Sequence, residues 1–418
     1  MAVVISRRMT VSPSLVDVLT YDHNHEVDPR DVGMTLEGVR AIWRHVEAIY
    51  RTGLHPALTF CLRRHGQVVM RRSVGYASGA PGLAAAGEEI RIARPDTPFC
   101  LFSTSKTMTA MVIHLLDERG LLHIDDPVVE YIPEFGKYGK DVMTIRHVLT
   151  HRAGIPSLAV GHASLDMLAD WDAVIALLCE ARPMTVPGRQ LAYHAITGGF
   201  ILGEIVRRVA GSDIRAFFAE AVGKPLGLEV MSYGLVRERW HEVAVNYLTG
   251  MPAPPPIGWV VQRALGMGLR RVIEVSNDPR WYSGIVPSAN AFATADDVSR
   301  FFQLLMRGGE LDGVRVFAPR TIRRVLNESS YLELDVVLGI PARYGLGVML
   351  GGNFLSFYGP DTPKAFGHYG FTLIIGWADP QRDIAVGFLA SGKCLIDTHL
   401  IRLFGLLREI STQCSKVH

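Results

Sequence analysis

Apolar residues at Leu36, Val39, Ile42, Trp43, Val46, Ile49 and Tyr50 recur every three to four positions, so the first element the chain predicts is a helix buried by one face. Two apolar runs follow, Ala57 to Leu62 and Val68 to Val74, separated by a turn at His65-Gly66, which is the pattern of a β-hairpin. Helical spacing returns at Met108, Met111, Val112, Leu115 and Leu116, and Gly120 closes it as a stop. The stretch 116 to 290 reads as mostly helical with long loops. Leu346 to Leu350, Phe371 to Trp377 and Ile384 to Leu389 then read as strands, the last two joined by a turn at Asp379-Pro380-Gln381-Arg382, and Leu395 to Ile410 reads as a closing amphipathic helix. Strands near both ends enclosing helices predict an α+β fold with an antiparallel sheet built from both termini. The expected organisation is an irregular polar segment over 1–33, a sheet domain from 34–115 plus 290–418, and an inserted, mostly helical domain over 116–289.

Composition narrows the class. The chain has 418 residues, too many for one small core, and 48% of them are hydrophobic, enough to fill two lobes. A formal net charge of +2, with the arginines dispersed as separate pairs such as Arg63-Arg64 and Arg270-Arg271, gives no case for nucleic acid. Five scattered cysteines without a Cys-x-x-Cys pair suit packing in a reducing compartment better than a disulfide framework or a zinc site. No apolar stretch is long enough for a signal peptide or a membrane span, so a cytoplasmic protein is expected, while the slightly positive mean hydropathy leaves peripheral membrane contact open. The cluster His23-Asn24-His25-Glu26 lies in a loop with Pro29 and lacks the helical spacing of metal ligands, so it reads as solvated loop. The insert from Met251 to Ile273 places a proline run before apolar residues interleaved with Arg263, Arg270 and Arg271. It reads as a surface loop and helix packed on the lobe, with a cap over the cleft or a lipid contact as the sharper alternatives.

Chemistry enters at Phe99-Cys100-Leu101-Phe102-Ser103-Thr104-Ser105-Lys106, where a serine and a lysine stand three apart at the start of a helical pattern. On a helix such residues are neighbours, and a desolvated, neutral lysine is a base that a serine hydroxyl needs to become a nucleophile. The spacing alone is equally that of an N-capping serine beside a solvated lysine, so context has to decide. Four further segments supply that context in order. They are Gly120 to Pro127, Thr144 to Pro156, Pro187-Gly188 with Tyr193-His194-Ala195, and Gly367-His368-Tyr369-Gly370-Phe371 running into Trp377-Ala378-Asp379-Pro380. Together, over roughly Glu37 to Leu407, they resemble the serine β-lactamase, penicillin-binding protein and family VIII esterase superfamily. The Tyr193 to Thr197 stretch is most similar to the esterase branch.

The resemblance implies a β-lactamase/transpeptidase-like fold with the site between its lobes. It also implies an acyl-enzyme on Ser103, with Lys106 and Tyr193 sharing the general base and acid work in an order left open. His368 and Gly370 are expected on a strand edge facing the nucleophile, with the Phe371 N–H joining that of Ser103 as an oxyanion hole and His368 as a candidate substrate contact. His147 and His151 are assigned to loop structure. Two departures bear on substrate: Ala195 stands where β-lactam-acting relatives carry an asparagine, and His368 where they carry a lysine that meets a carboxylate. Both point to uncharged esters, with a β-lactamase or D-alanyl carboxypeptidase, an acyltransferase on the same site and a non-catalytic member of the fold as the rivals. No metal or organic cofactor is called for, and the partner implied is a small-molecule ester. The absence of Gly-x-Ser-x-Gly argues against an α/β-hydrolase.

Overall fold

In a computed structural model that describes residues 6–157, 164–252, 255–354 and 356–417, the chain builds one ten-stranded antiparallel sheet. Its strands are β1 (Leu19–Tyr21), β2 (Ala57–Arg64), β3 (Gln67–Ser78), β4 (Arg91–Ile92), β5 (Ser330–Asp335), β6 (Ile340–Tyr344), β7 (Met349–Leu350), β8 (Phe366–Gly370), β9 (Ile374–Asp379) and β10 (Ile384–Ala390). They run in the order β1-β3-β2-β10-β9-β8-β7-β6-β5, with β4 paired to β3. The register β10 against β2, Val386 opposite Leu62 and Phe388 opposite Phe60, joins the two ends of the chain at the centre of the sheet.

Every residue of β2, β9 and β10 is buried, because helices cover both faces, and this is why these strands read as continuous apolar runs. One face carries α1 (Leu36–Tyr50), capped by the Thr35 hydroxyl on the Gly38 N–H, and the C-terminal helix His399–Gln413; Leu58, Phe60, Leu62, Val386 and Phe388 point into that layer. The other face carries a helix over Ala295–Met306, which lies so close that a Cβ on Gly387 would stand 2.2 Å from the Ala295 carbonyl oxygen. Beyond it, α2 (Ser105–Glu118) is buried nearly all round, between the sheet and a helix over Thr197–Ala210 that belongs to the helical part of the chain.

Four elements differ from the sequence reading. The segment expected to be irregular contributes β1, which pairs with β3 from Leu19 opposite Val74 to Tyr21 opposite Arg72. Only Met349–Leu350 of the run from Leu346 pairs, since the Leu346 N–H is drawn away to the Val325 carbonyl and Gly347 has φ +97°. Phe371 to Trp377 is not one strand: Phe371 to Leu373 form the β8–β9 hairpin turn, with Thr372 and Leu373 in the left-handed region, and the pairing strand begins earlier, at Phe366. The last helix starts at His399 instead of Leu395, because Asp397 accepts from the Thr398 N–H and from Arg8 and Ser6. The insert forms α3 (Pro255–Leu265) and α4 (Leu269–Ser276); Ala253, Pro254 and the Arg263 side chain lie outside the described residues. All five cysteines are buried and unpaired. His25 and Glu26 are engaged by Asp22 and Arg72 in their loop.

Candidate active site

Ser103 sits in a short 3₁₀ turn, Phe102–Thr104, that runs directly into α2. The turn is entered through Phe102 at φ +45°, a strained conformation for a residue with a side chain, and it is tied on two sides. Ser105 Oγ donates to the Phe102 carbonyl at 2.6 Å and accepts from the Ala291 N–H at 3.1 Å, while Thr104 Oγ1 donates to the carbonyls of His368 and Ile374 at 3.3 and 3.4 Å. The Ser103 turn is thereby fixed against β8 and β9. Gly370 completes the join, for a Cβ there would come within 2.3 Å of the Leu101 carbonyl oxygen.

Lys106 lies one turn on. Its Nζ is 3.2 Å from Ser103 Oγ and donates to the carbonyls of Ala195 at 2.8 Å and Ser288 at 3.1 Å. Among the described residues no carboxylate pairs with it, and burial holds its pKa well below the ordinary lysine value. In the neutral amine the two hydrogens go to the two carbonyls, and the lone pair is left facing the Ser103 hydroxyl. That is the arrangement of a base beside a nucleophile.

Tyr193 is brought to the same place from the loop before the Thr197–Ala210 helix. Its ring lies with its centroid 4.8 Å from Lys106 Nζ and 4.6 Å from the His151 ring centroid. Burial raises the phenol's pKa, and a hydrogen bond with Ser103 opposes the rise. The loop is clamped by a residue far away in sequence: Asp335 Oδ1 accepts from the N–H groups of Tyr193 (3.1 Å), Val337 (2.9 Å) and Leu338 (3.0 Å). His151, at φ +59°, holds the loop's other side by accepting from the His194 N–H at Nδ1 and from the Ala192 N–H at its carbonyl.

The Phe371 amide lies in the β8–β9 turn. Among the described residues neither the Ser103 nor the Phe371 N–H has an acceptor, so both donors remain available to a substrate oxygen. Behind the turn, Lys393 is fully buried, donates to the Ala390 carbonyl at 2.7 Å, comes within 3.5 Å of the Phe371 carbonyl and lies 4.7 Å from the Phe102 ring centroid. Burial pushes its pKa down to about 7.

Two cavities meet at this point. The outer one is lined by Ser103, Phe102, Ile196, Met267, Trp281 and Phe371 among others, and none of the described residues lining it is charged. The inner one lies behind Lys106 and is lined by His151, His194, His368, Ser288 and Tyr344. His368 is thus on the inner side with Lys106, its Nδ1 donating to the Tyr369 carbonyl at 2.7 Å, and burial lowers its pKa to about 3. His368, expected as a candidate substrate contact, does not line the cavity that holds Ser103. His151 keeps to the loop structure assigned to it, in the turn that braces the Tyr193 loop and packs on the Tyr193 ring, whereas His147 lies inside a helix over Ile145–Leu149, its Nδ1 accepting from the Thr144 N–H in the cap.

Sequence reading missed Asp335, Lys393 and Ser288. No local signal marks them, since each acts through a backbone contact made by the fold. Among the described residues no cluster of three His, Cys, Asp or Glu is arranged to hold a metal ion, and no helix is long and apolar enough to cross a membrane.

The chain is similar to known proteins in sequence and in fold. A family model described as Beta-lactamase matches residues 44–398. The Mycobacterium tuberculosis protein described as Esterase/beta-lactamase LipL is 30% identical over 348 residues, covering 77% of this chain and 76% of its own. Among solved structures, a penicillin-binding protein homologue from Caulobacter crescentus superposes with a TM-score of 0.76 at 29% identity, over 90% of this chain and 97% of that one. A family VIII carboxylesterase superposes with a TM-score of 0.75 at 28% identity, over 88% and 96%.

Proposed function

The chain belongs to the beta-lactamase family, and from that premise we propose that it is a serine carboxylesterase working through an acyl-enzyme on Ser103. The observation that carries the reading is the Lys106 amine, stripped of any carboxylate partner, with two carbonyls taking its hydrogens and its remaining position turned to Ser103 Oγ. The uncharged outer cavity supports an ester over a carboxylate-bearing β-lactam or peptide terminus, as do Ala195 and His368 in place of the asparagine and lysine of β-lactam-acting relatives. Relatives named as an esterase/beta-lactamase and a family VIII carboxylesterase point the same way.

In the first half-reaction Lys106 takes the Ser103 proton as Oγ attacks the ester carbonyl. The N–H groups of Ser103 and Phe371 hold the oxyanion, each contributing about 3–4 kcal/mol to the transition state. Tyr193, kept protonated by its raised pKa, gives its proton to the departing alkoxide and recovers one from the Lys106 ammonium, so the Ser103 proton ends on the alcohol. Water then repeats the cycle in reverse: it adds to the acyl carbon, its proton returns by Tyr193 and Lys106 to Ser103 Oγ, and the acid leaves.

The test is hydrolysis of p-nitrophenyl acyl esters by the wild type and Ser103→Ala, with intact-mass detection of a trapped acyl adduct. Turnover and a mass shift confined to the wild type are expected. Equal turnover by Ser103→Ala would overturn the assignment, and nitrocefin hydrolysis outpacing every ester would replace the ester with a β-lactam.

A further inference from the structure

Resting on that esterase reading, we infer that the turn between α3 and α4 is the chain's acyl-length gauge, and that its substrates are esters of uncharged aliphatic acids longer than acetate. The orientation follows from which groups line the outer cavity. Ser103 and Phe371, the two oxyanion donors, stand at its wall; Tyr193, which protonates the leaving oxygen, does not line it. With the oxyanion at Phe371 and the leaving oxygen toward Tyr193, the remaining substituent of the tetrahedral carbon, the acyl chain, enters the outer cavity.

The far wall of that cavity is the turn itself. Leu265, Gly266 and Met267 line it, with Gly266 at φ +71° reversing the chain, and Val272 and Val275 extend the wall along α4. The opposite face of α4 is polar, with Arg270, Arg271 and Glu274 exposed, so its apolar residues have only the cavity and the lobe to cover. The C-terminal end of α4 is pinned: Asn277 Oδ1 accepts from the Asn246 N–H at 2.9 Å, Asn277 Nδ2 donates to the Asn246 carbonyl at 2.8 Å, and Asn246 Nδ2 donates to Ser276 Oγ at 3.1 Å. A pinned helix sets its other end, the Met267 turn, at a fixed depth above Ser103. An acyl chain gains about fourfold in kcat/KM for each methylene seated against such walls, up to the length at which it meets the turn.

The experiment is kcat/KM for p-nitrophenyl acetate, butyrate, hexanoate, octanoate, decanoate and dodecanoate with the full-length protein. The readout is the ratio of octanoate to acetate. We expect the wild type to prefer octanoate to acetate, Met267→Trp to lower the ratio at least tenfold by filling the cavity, and Met267→Ala to move the peak to longer chains. Trp259→Ser, on the exposed side of α3, should leave the ratio unchanged. A wild-type preference for acetate, or the same profile in both Met267 variants and the wild type, overturns the inference while leaving the esterase reading intact. Absence of Ser103-dependent turnover on every ester overturns both.

Discussion

On one side of the Ser103–Lys106 pair the walls are mostly apolar and come in part from the turn between α3 and α4; on the other they include three histidines and Tyr344. The inner side is polar without being charged. His194 and His368 have their pKa values lowered to about 3 by burial, and that of His151 is held well below the ordinary value, so near neutral pH all three present neutral rings to Lys106. Neutral rings can orient an amine and a phenol without competing for the proton that has to move. The outer side carries almost nothing that could react. In the proposed reading the proton acceptor therefore lies on one side of Ser103 and acyl recognition on the other, and each can change without rewriting the other.

The strongest way to break this division is to remove the proton acceptor at the boundary. Lys106→Met keeps the length of the side chain and should lower ester kcat/KM by about 10⁴-fold or more, with acetate and octanoate suffering equally, because the loss lies in chemistry alone. Adding Ser103→Ala to it should cost little further, since members of one catalytic unit are not additive. A loss that depended on acyl length would show the two cavities to be coupled. Steady-state kinetics on the p-nitrophenyl series measures both.

The next effect tests whether the loop clamped by Asp335 positions the Tyr193 phenol as tightly as the geometry suggests. Tyr193→Phe should cost about 10²–10³-fold in kcat by removing the acid. Asp335→Ala, which touches no substrate, should cost about ten- to hundredfold in kcat with a smaller change in KM, by loosening the loop whose N–H it accepts. Asp335→Asn retains an acceptor oxygen at that place and should recover most of the loss. If Asp335→Ala lowered thermal stability without lowering kcat in the surviving folded fraction, Asp335 would be a structural residue only.

The contrast between the cavities also explains what was legible in the chain. Ser103, Lys106, Tyr193, His368 and Phe371 all fall in short ordered motifs, and the hairpin strands and helix stripes that carry the sheet follow simple periodicities of two or about 3.6. The outer wall takes residues from segments as distant as Phe102, Ile196, Met267 and Trp281, so no local pattern announces it. Asp335 was equally hidden, for its role is to accept three backbone N–H groups, and one of these comes from a loop that precedes it by 142 positions. The strand read through Phe371 failed for a related reason: apolar residues continue across the hairpin turn because Phe371 faces the cavity and Leu373 the core, and hydropathy does not register a reversal of the chain.

The smallest effect on activity concerns the other buried lysine, and it sharpens the comparison from the side of stability. Lys393, like Lys106, has carbonyls and no carboxylate for partners, yet it faces the back of the Phe371 turn instead of Ser103. With a folded pKa of about 7 against 10.5 for the free side chain, the native state binds fewer protons than the unfolded state between those two values. Its contribution to stability therefore rises with pH across that window, and its cost is fully present below pH 7. Lys393→Met removes that cost. It should melt higher than the wild type at pH 6, by on the order of 2 kcal/mol after allowance for the lost hydrogen bonds, with the advantage shrinking as pH is raised to 9. Ester turnover should fall by only about threefold, since the Phe371 amide remains on a hairpin fixed by Gly370 and Thr104. Calorimetry of both proteins at pH 6, 7.5 and 9 decides it. An advantage that did not vary with pH would mean that Lys393 does not titrate in this range and acts through packing alone.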